Sequence, residues 1–353
     1  MITVIFSLDY EIHGNGEGDP LELMVAPTDR LISQLNKFGA KLSIFAEAAE
    51  IAKFKTYKDD TGLDRFHYDK IVQQLHSAYG AGHEVELHIH PSYDHAESRQ
   101  RGWMQDWSEY DLAALSAQRT RDMIAGSKHF LEQLMAAAHP GYRASVFRAC
   151  NLSVMPSGNI ADALIACGMR ADSSVFKYGQ SHGLVNFDYT DAESETLPWP
   201  ADQKNFCHRD ATSPLTEFPI YAEHRWITAF LSLNRLFRLY QSYRHQLAAP
   251  AHKTNGDRLS GQSIAAKLKQ LLLQKHAWKA DFNQASARQL IAALERAHGK
   301  YGNHETPVPF VLIGHPKLFN SHNQRQLEHL LHFIQRHPDK YRFGGYGDFL
   351  KNG

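Results

Sequence analysis

At 353 residues the chain is long enough to bury one large α/β core or two ordinary ones. Its 38 Lys and Arg balance 38 Asp and Glu, which argues against general nucleic-acid binding; Cys150, Cys167 and Cys207, odd in number and without C-x-x-C, give neither a disulfide framework nor a zinc ribbon. No run of 18 apolar residues occurs, so no transmembrane segment is expected, and the composition points to a cytoplasmic protein in a reducing compartment.

The N-terminus is apolar and reaches Asp9 with no basic lead-in or small-residue cleavage site, so it reads as a first strand, not a signal peptide. That strand, 3–8, ends at Asp9-Tyr10-Glu11, with Asp9 and Glu11 on one face, and a glycine-rich loop (14–18) follows. A helix starting at Pro27-Thr28 carries Leu31, Ile32, Leu35 and Phe38 on one stripe and stops at Gly39. A second strand over 41–46 and a helix over 68–81, closed by Gly82, come next. In the following stretch Val85, Leu87 and Ile89 alternate with Glu84, Glu86, His88 and His90, the pattern of a strand buried on one face. His88 and His90 then point the same way with Cα atoms roughly 6.6 Å apart, close enough to share a metal about 2.0–2.1 Å from each nitrogen. With 22 His in the chain about 1.4 such pairs arise by chance, so the pair takes its meaning from its neighbours.

Residues 91–107 form a polar, aromatic loop (Tyr93, Trp103, Trp107) placed to line a site, and a long helix is predicted over 111–137. A short strand over 146–151 carries Arg148, a helix over 158–167 stops at Gly168, and the next strand ends on Asp172; strand-like pieces recur at 183–187 and 216–220. Between Arg225 and Lys279 ten Lys or Arg stand against the single acid Asp257, and two helical patterns (227–247 and 263–275) flank a linker over 249–261. Residues 225–280 are therefore expected to be a helical insertion in a single domain, 1–353. The insertion is either a solvated excursion or a basic surface for an anionic glycan, lipid or nucleotide carrier. A helix over 286–298, a buried strand ending in Gly314-His315-Pro316, a helix over 321–337 and a strand over 341–343 complete the chain. Strands and helices alternate as in a parallel sheet or barrel.

Five strand ends thus deliver polar groups: Asp9 with Glu11, His88 with His90, Arg148, Asp172 and His315. In order and spacing, Ser7-Leu8-Asp9-Tyr10-Glu11, His88-Ile89-His90-Pro91, Phe147-Arg148-Ala149, Ala171-Asp172-Ser173-Ser174 and Leu312-Ile313-Gly314-His315-Pro316 resemble the motifs of the polysaccharide deacetylase (NodB-homology) family of carbohydrate esterases. The resemblance covers nearly the whole chain apart from the basic insertion. It implies an α/β fold of the distorted (β/α) barrel type and one divalent metal, usually zinc. The chain departs from the commonest pattern of that family. Tyr10 stands where a second adjacent acid is usual, with Glu11 one residue on. His88 lies two rather than four residues before His90, and Cys150 and Asn151 replace the Pro and Tyr of the third motif. The sequence is similar to divergent branches that use Asp-x-Glu with His-x-His-Pro.

These roles fit amide hydrolysis. His88, His90 and one acid hold a metal with an open position, lowering the pKa of its water to about 7 and polarising the acyl oxygen. Glu11 is expected as the third ligand and Asp9 as the base, with the reverse open. By resemblance Arg148 pairs with Asp9, His315 protonates the leaving amine, and Asp172 orients or charges His315. Three functions follow as expectations: a metal-dependent N-deacetylase acting on an N-acylated sugar or glycan precursor, an amidohydrolase of the same fold acting on a small amide or ureide, or a glycan-binding protein with a degenerate site.

Overall fold

In the computed structural model of the chain, which describes residues 1–12, 15–100, 102–231 and 273–350, strand β1 (Ile2–Tyr10) is buried along its whole length. Its near-continuous Ile, Val, Phe and Leu are what a central parallel strand, covered on both faces, requires. On one side β1 pairs in parallel with Val308–Gly314. On the other its first half pairs with Tyr341–Phe343 and its second half with β2 (Leu42–Glu47). Parallel pairing continues from β2 to β3 (Glu84–Ile89), then to Val146–Ala149, Ala171–Asp172 and Thr216–Glu217. The antiparallel strands Trp199–Asp202 and Asn205–Arg209 complete a ten-stranded sheet.

Beyond Thr216–Glu217 the chain runs back to the other end of the parallel series. Ile220 bridges Val311, and the Tyr221 amide donates to the Val311 carbonyl at 3.0 Å. The sheet thereby curls into a distorted α/β barrel, the fold class expected. Ala280–Phe282 slips into the seam, where the Phe282 amide donates to the Ile313 carbonyl and the Ile313 amide to the Ala280 carbonyl, each at 3.0 Å. Helices α1 (Ala26–Asn36), α3 (Tyr68–Gly80), α4 (Ala117–Ala136), Ala287–Tyr301 and Ser321–Gln335 turn their apolar stripes to the barrel.

Several local expectations need correction. Helix α2 (Ala48–Thr61) was not anticipated: it springs from the last residue of β2 with no loop, and its Ala-rich inner face and scattered charges give little contrast between faces. Its cap is the side chain of Glu47, which accepts the Glu50 amide, and not one of the short polar residues that usually mark a start. The helix expected over 111–137 begins only at Ala117, because Asp111 caps a short 3₁₀ turn and Ser116 then caps α4. The strand expected over 183–187 is instead Phe187–Asp188, paired with Gln180–Ser181.

The loop after β1 is tied to the segment that follows β3. The Trp103 amide donates to the Gly16 carbonyl at 2.8 Å, and a Cβ at Gly16 (φ +75°) would meet the Trp103 carbonyl oxygen at 2.3 Å, so this approach requires glycine. Ala222–Trp226 pairs antiparallel with Lys275–Lys279, so the basic segment leaves and returns along two adjacent strands, and Lys275 is extended where a helix was expected. Apart from a 3₁₀ turn at Ile227–Phe230, the helices expected over 227–247 and 263–275 lie outside the described residues. No helix among the described residues is long and apolar enough to cross a membrane.

Candidate metal centre

The parallel strands bring their C-terminal ends to one mouth, the edge where barrels of this kind carry their chemistry. Glu11 follows β1, His88 lies near the end of β3 and His90 just beyond it. Their ligand atoms all lie within 4.8 Å of one another and all three residues are buried. Glu11 Oε2 is 2.7 Å from His90 Nε2 and 3.4 Å from His88 Nε2. His88 Nδ1 lies 2.8 Å from the Arg148 carbonyl. A carbonyl only accepts, so Nδ1 carries the proton and Nε2 presents its lone pair to the centre, the support a metal-ligating histidine normally receives. The His90 amide donates to Glu47 Oε1 at 2.6 Å, which anchors the turn just past the strand. Two imidazoles and one carboxylate match donor sets that hold a catalytic divalent cation, so the residues present fit such an ion.

Burial alone would raise the Glu11 carboxyl, but the Lys317 ammonium and the two imidazoles outweigh it and hold Glu11 well below the ordinary carboxylate range. Lys317 Nζ donates to Glu11 Oε1 at 2.6 Å and to the Ile12 carbonyl at 2.5 Å.

Asp9 sits beside this trio. Its Oδ1 accepts from Arg148 Nη1 at 2.7 Å, and Arg148 is wholly buried. The guanidinium also donates from Nη1 to Ser7 Oγ (2.9 Å), from Nε to the Ser173 carbonyl (2.8 Å), and from Nη2 to Ser173 Oγ and Tyr346 Oη (both 3.1 Å). All five N–H groups are used, and Cζ lies 4.0 Å from the centroid of the Phe45 ring. Burial pushes the Asp9 carboxyl up, but Arg148, then His88 and His315, outweigh it, and Asp9 is held below its usual value. Its second oxygen faces His315: Oδ2 is 3.6 Å from Nε2, which is also 3.9 Å from Glu11 Oε1. The His315 amide donates to Asn283 Oδ1 at 2.6 Å. Burial moves His315 toward its neutral form more strongly than Asp9 moves it the other way.

The structure thus brings Asp9, Glu11, His88, His90, Arg148 and His315 together. It places Asp172 elsewhere, which corrects its expected role on His315. The Asp172 carboxylate accepts from Ser174 N (2.8 Å) and Ser174 Oγ (2.9 Å), and that hydroxyl in turn accepts the Ala149 amide. Burial raises its pKa, and Glu217 is bonded beside it. Asp172 braces the strand that carries Arg148. The charged groups acting on His315 are Asp9, Lys317, Glu11 and Asp281.

Lys317, Glu47 and Glu50 are among the residues at the mouth that escaped the sequence reading. Lys317, in the turn Pro316–Leu318, has no strand periodicity to mark it. Glu47 and Glu50 back the His90 side; burial and their mutual repulsion raise Glu47 well above the usual range, and burial raises Glu50 to about 8. An acid ending a buried strand, as Glu47 ends β2, was the available signal.

No protein-family model matches the chain, and no curated protein does. Solved structures do. A Mycobacterium smegmatis protein named as a polysaccharide deacetylase aligns with a TM-score of 0.50 and 13% identity over 99% of this chain and 88% of that one. A Pseudomonas aeruginosa PAO1 protein of the same designation gives 0.50 and 14% over 98% and 89%. A Parabacteroides distasonis protein named as a glycoside hydrolase/deacetylase gives 0.57 and 9% over 99% and 70%. At these identities the likeness is one of architecture: the chain has the polysaccharide deacetylase fold.

Proposed function

We propose that this protein is a metal-dependent amide hydrolase that removes an N-acyl group, an acetamido group foremost, from a sugar or glycan precursor. One observation carries the proposal: a buried Glu-His-His donor set lies at the barrel mouth beside an Asp9–Arg148 pair and a histidine whose Nε2 is 3.6 Å from Asp9 Oδ2. The fold shared with proteins named as polysaccharide deacetylases supports the same reading. Glu11, His88 and His90 would hold the cation, zinc by the character of the donors, and it would supply Lewis-acid chemistry that acidifies water and polarises the acyl oxygen.

The remaining steps belong to the chain's own side chains. Arg148 keeps Asp9 ionised and fixes Oδ1, leaving Oδ2 free to take the proton of the attacking water. His315 Nε2 lies 3.6 Å from that oxygen, so the proton Asp9 takes from the water passes to the neutral imidazole, which delivers it to the leaving nitrogen, otherwise too basic to depart. Glu11 is the ligand and Asp9 the base in this assignment, because Arg148 already occupies one Asp9 oxygen while both imidazole Nε2 atoms converge on Glu11 Oε2.

Two measurements test the proposal. Elemental analysis of the purified protein should give one divalent metal per chain, and a His88→Ala/His90→Ala double variant should give none; a double variant still loaded one to one places the metal elsewhere. A screen of N-acetyl sugars against small amides and ureides should return acetate release from the sugars, whereas turnover confined to the small amides would move the protein to the second expected function.

A further inference from the structure

Glu11 is the member of the trio whose two oxygens face different partners. Oε2 faces the two imidazoles, while Oε1 accepts from Lys317 Nζ at 2.6 Å. The ammonium is itself held, since a second N–H donates to the Ile12 carbonyl at 2.5 Å, and the two side chains are only 10% and 9% exposed. Lys317 follows His315 by two residues, so the segment that sets a histidine beside Asp9 also sets a cation behind Glu11.

Two physical consequences follow. A carboxylate oxygen engaged by a buried ammonium is not free to ligate, so Glu11 offers a cation one oxygen, and a coordination position stays available for the reacting groups. The charges of the two carboxylates beside the imidazoles are also already countered: Lys317 pairs with Glu11 and Arg148 with Asp9. A dication therefore meets a Glu11 whose charge is offset and enters the field of a nearby ammonium, which is weakly screened at this burial.

We infer that Lys317 is a positioning residue that presets Glu11 for one-oxygen ligation and, by countering its charge, loosens the hold on the cation. This rests on the proposed Glu11-His88-His90 centre.

The test uses the full chain, stripped with a chelator and titrated with Zn²⁺ against a chromophoric competitor, alongside Lys317→Met, Lys317→Gln and Lys317→Arg. Lys317→Met should bind Zn²⁺ about tenfold more tightly, since it removes a like charge at short range, and Lys317→Arg should stay within about twofold of the parent. Visible absorption of the Co²⁺-loaded proteins reports the geometry. Lys317→Met should absorb more weakly as the freed oxygen joins the coordination sphere. Lys317→Gln, which keeps a donor without the charge, should share the tighter binding and retain the parent spectrum. Unchanged or weaker Zn²⁺ binding in both Lys317→Met and Lys317→Gln overturns the inference while leaving the centre intact. A parent protein that binds no stoichiometric Zn²⁺ overturns the centre itself, and the inference with it.

Discussion

Arg148→Met isolates the contact on which the proposed base depends. The substitution keeps a long side chain over Phe45 but removes all five donors from a position with no solvent exposure. Asp9 is left 4% exposed with no counter-ion on Oδ1, and removing one partner of a buried pair costs about 3–5 kcal/mol. The sign with pH follows from Asp9. In the parent its folded pKa lies below the unfolded value of about 3.9, so its contribution is present above that value and is lost as pH falls through the folded pKa. Without Arg148, burial dominates and the folded pKa rises above the unfolded one, so a penalty develops as pH rises and disappears in acid. Urea unfolding at pH 7 and pH 4 should therefore show a larger deficit for Arg148→Met at pH 7, and adding Asp9→Asn should recover part of it at pH 7 and little at pH 4. Equal deficits at both pH values, with no recovery in the double variant, would refute the pairing as the source of the stability.

His315→Ala should retain the metal and lower kcat by about 10²–10⁴-fold on an amide, with a smaller loss on an activated aryl ester whose leaving group needs no proton; Asp9→Asn should be impaired on both, and parallel losses would exclude the acid and base assignments. Glu86 accepts the Ser145 and Val146 amides at 2.8 and 2.7 Å, and burial, with Glu84 nearby, raises its pKa from 4.5 to about 8. The folded state then binds the extra proton between those values and stability falls as pH rises through them; Glu86→Gln should flatten that decline in thermal unfolding at pH 5 to 8, and an unchanged slope would show that Glu86 is ionised in the fold. Charge reversal at Arg235, Arg238, Lys267 and Lys269, which lie outside the described residues, should raise KM for an anionic substrate or carrier at low salt and lose that effect at high salt.

The residues that could be read from the chain are those fixed by strand periodicity. Asp9 and Glu11, like His88 and His90, stand two apart on buried strands or just past their ends, and alternation alone puts each pair on one face. Parallel register then carries the pairs to one mouth, because β1, β2 and β3 pair in order with no slip. What periodicity cannot supply is which polar strand end meets which. Asp172 ends a strand as plainly as Arg148 does, and the two strands are neighbours, with Phe147 opposite Asp172. Yet the Asp172 carboxylate closes on Ser174, two residues along its own chain, where a local hydrogen bond is cheaper in entropy than a reach across the barrel to His315. Lys317 and Asn283 were invisible for the opposite reason. They sit in short turns, and they reach Glu11 and the His315 amide through closures spanning 306 and 32 residues. Such contacts depend on the seam where Ala280–Phe282 and Val308–Gly314 meet, a product of the whole barrel's curvature. The ligands are therefore local in origin while their tuning is global, and substitutions at the seam that spare every ligand, Asn283→Ala first among them, should disturb proton transfer through His315 before they disturb metal content.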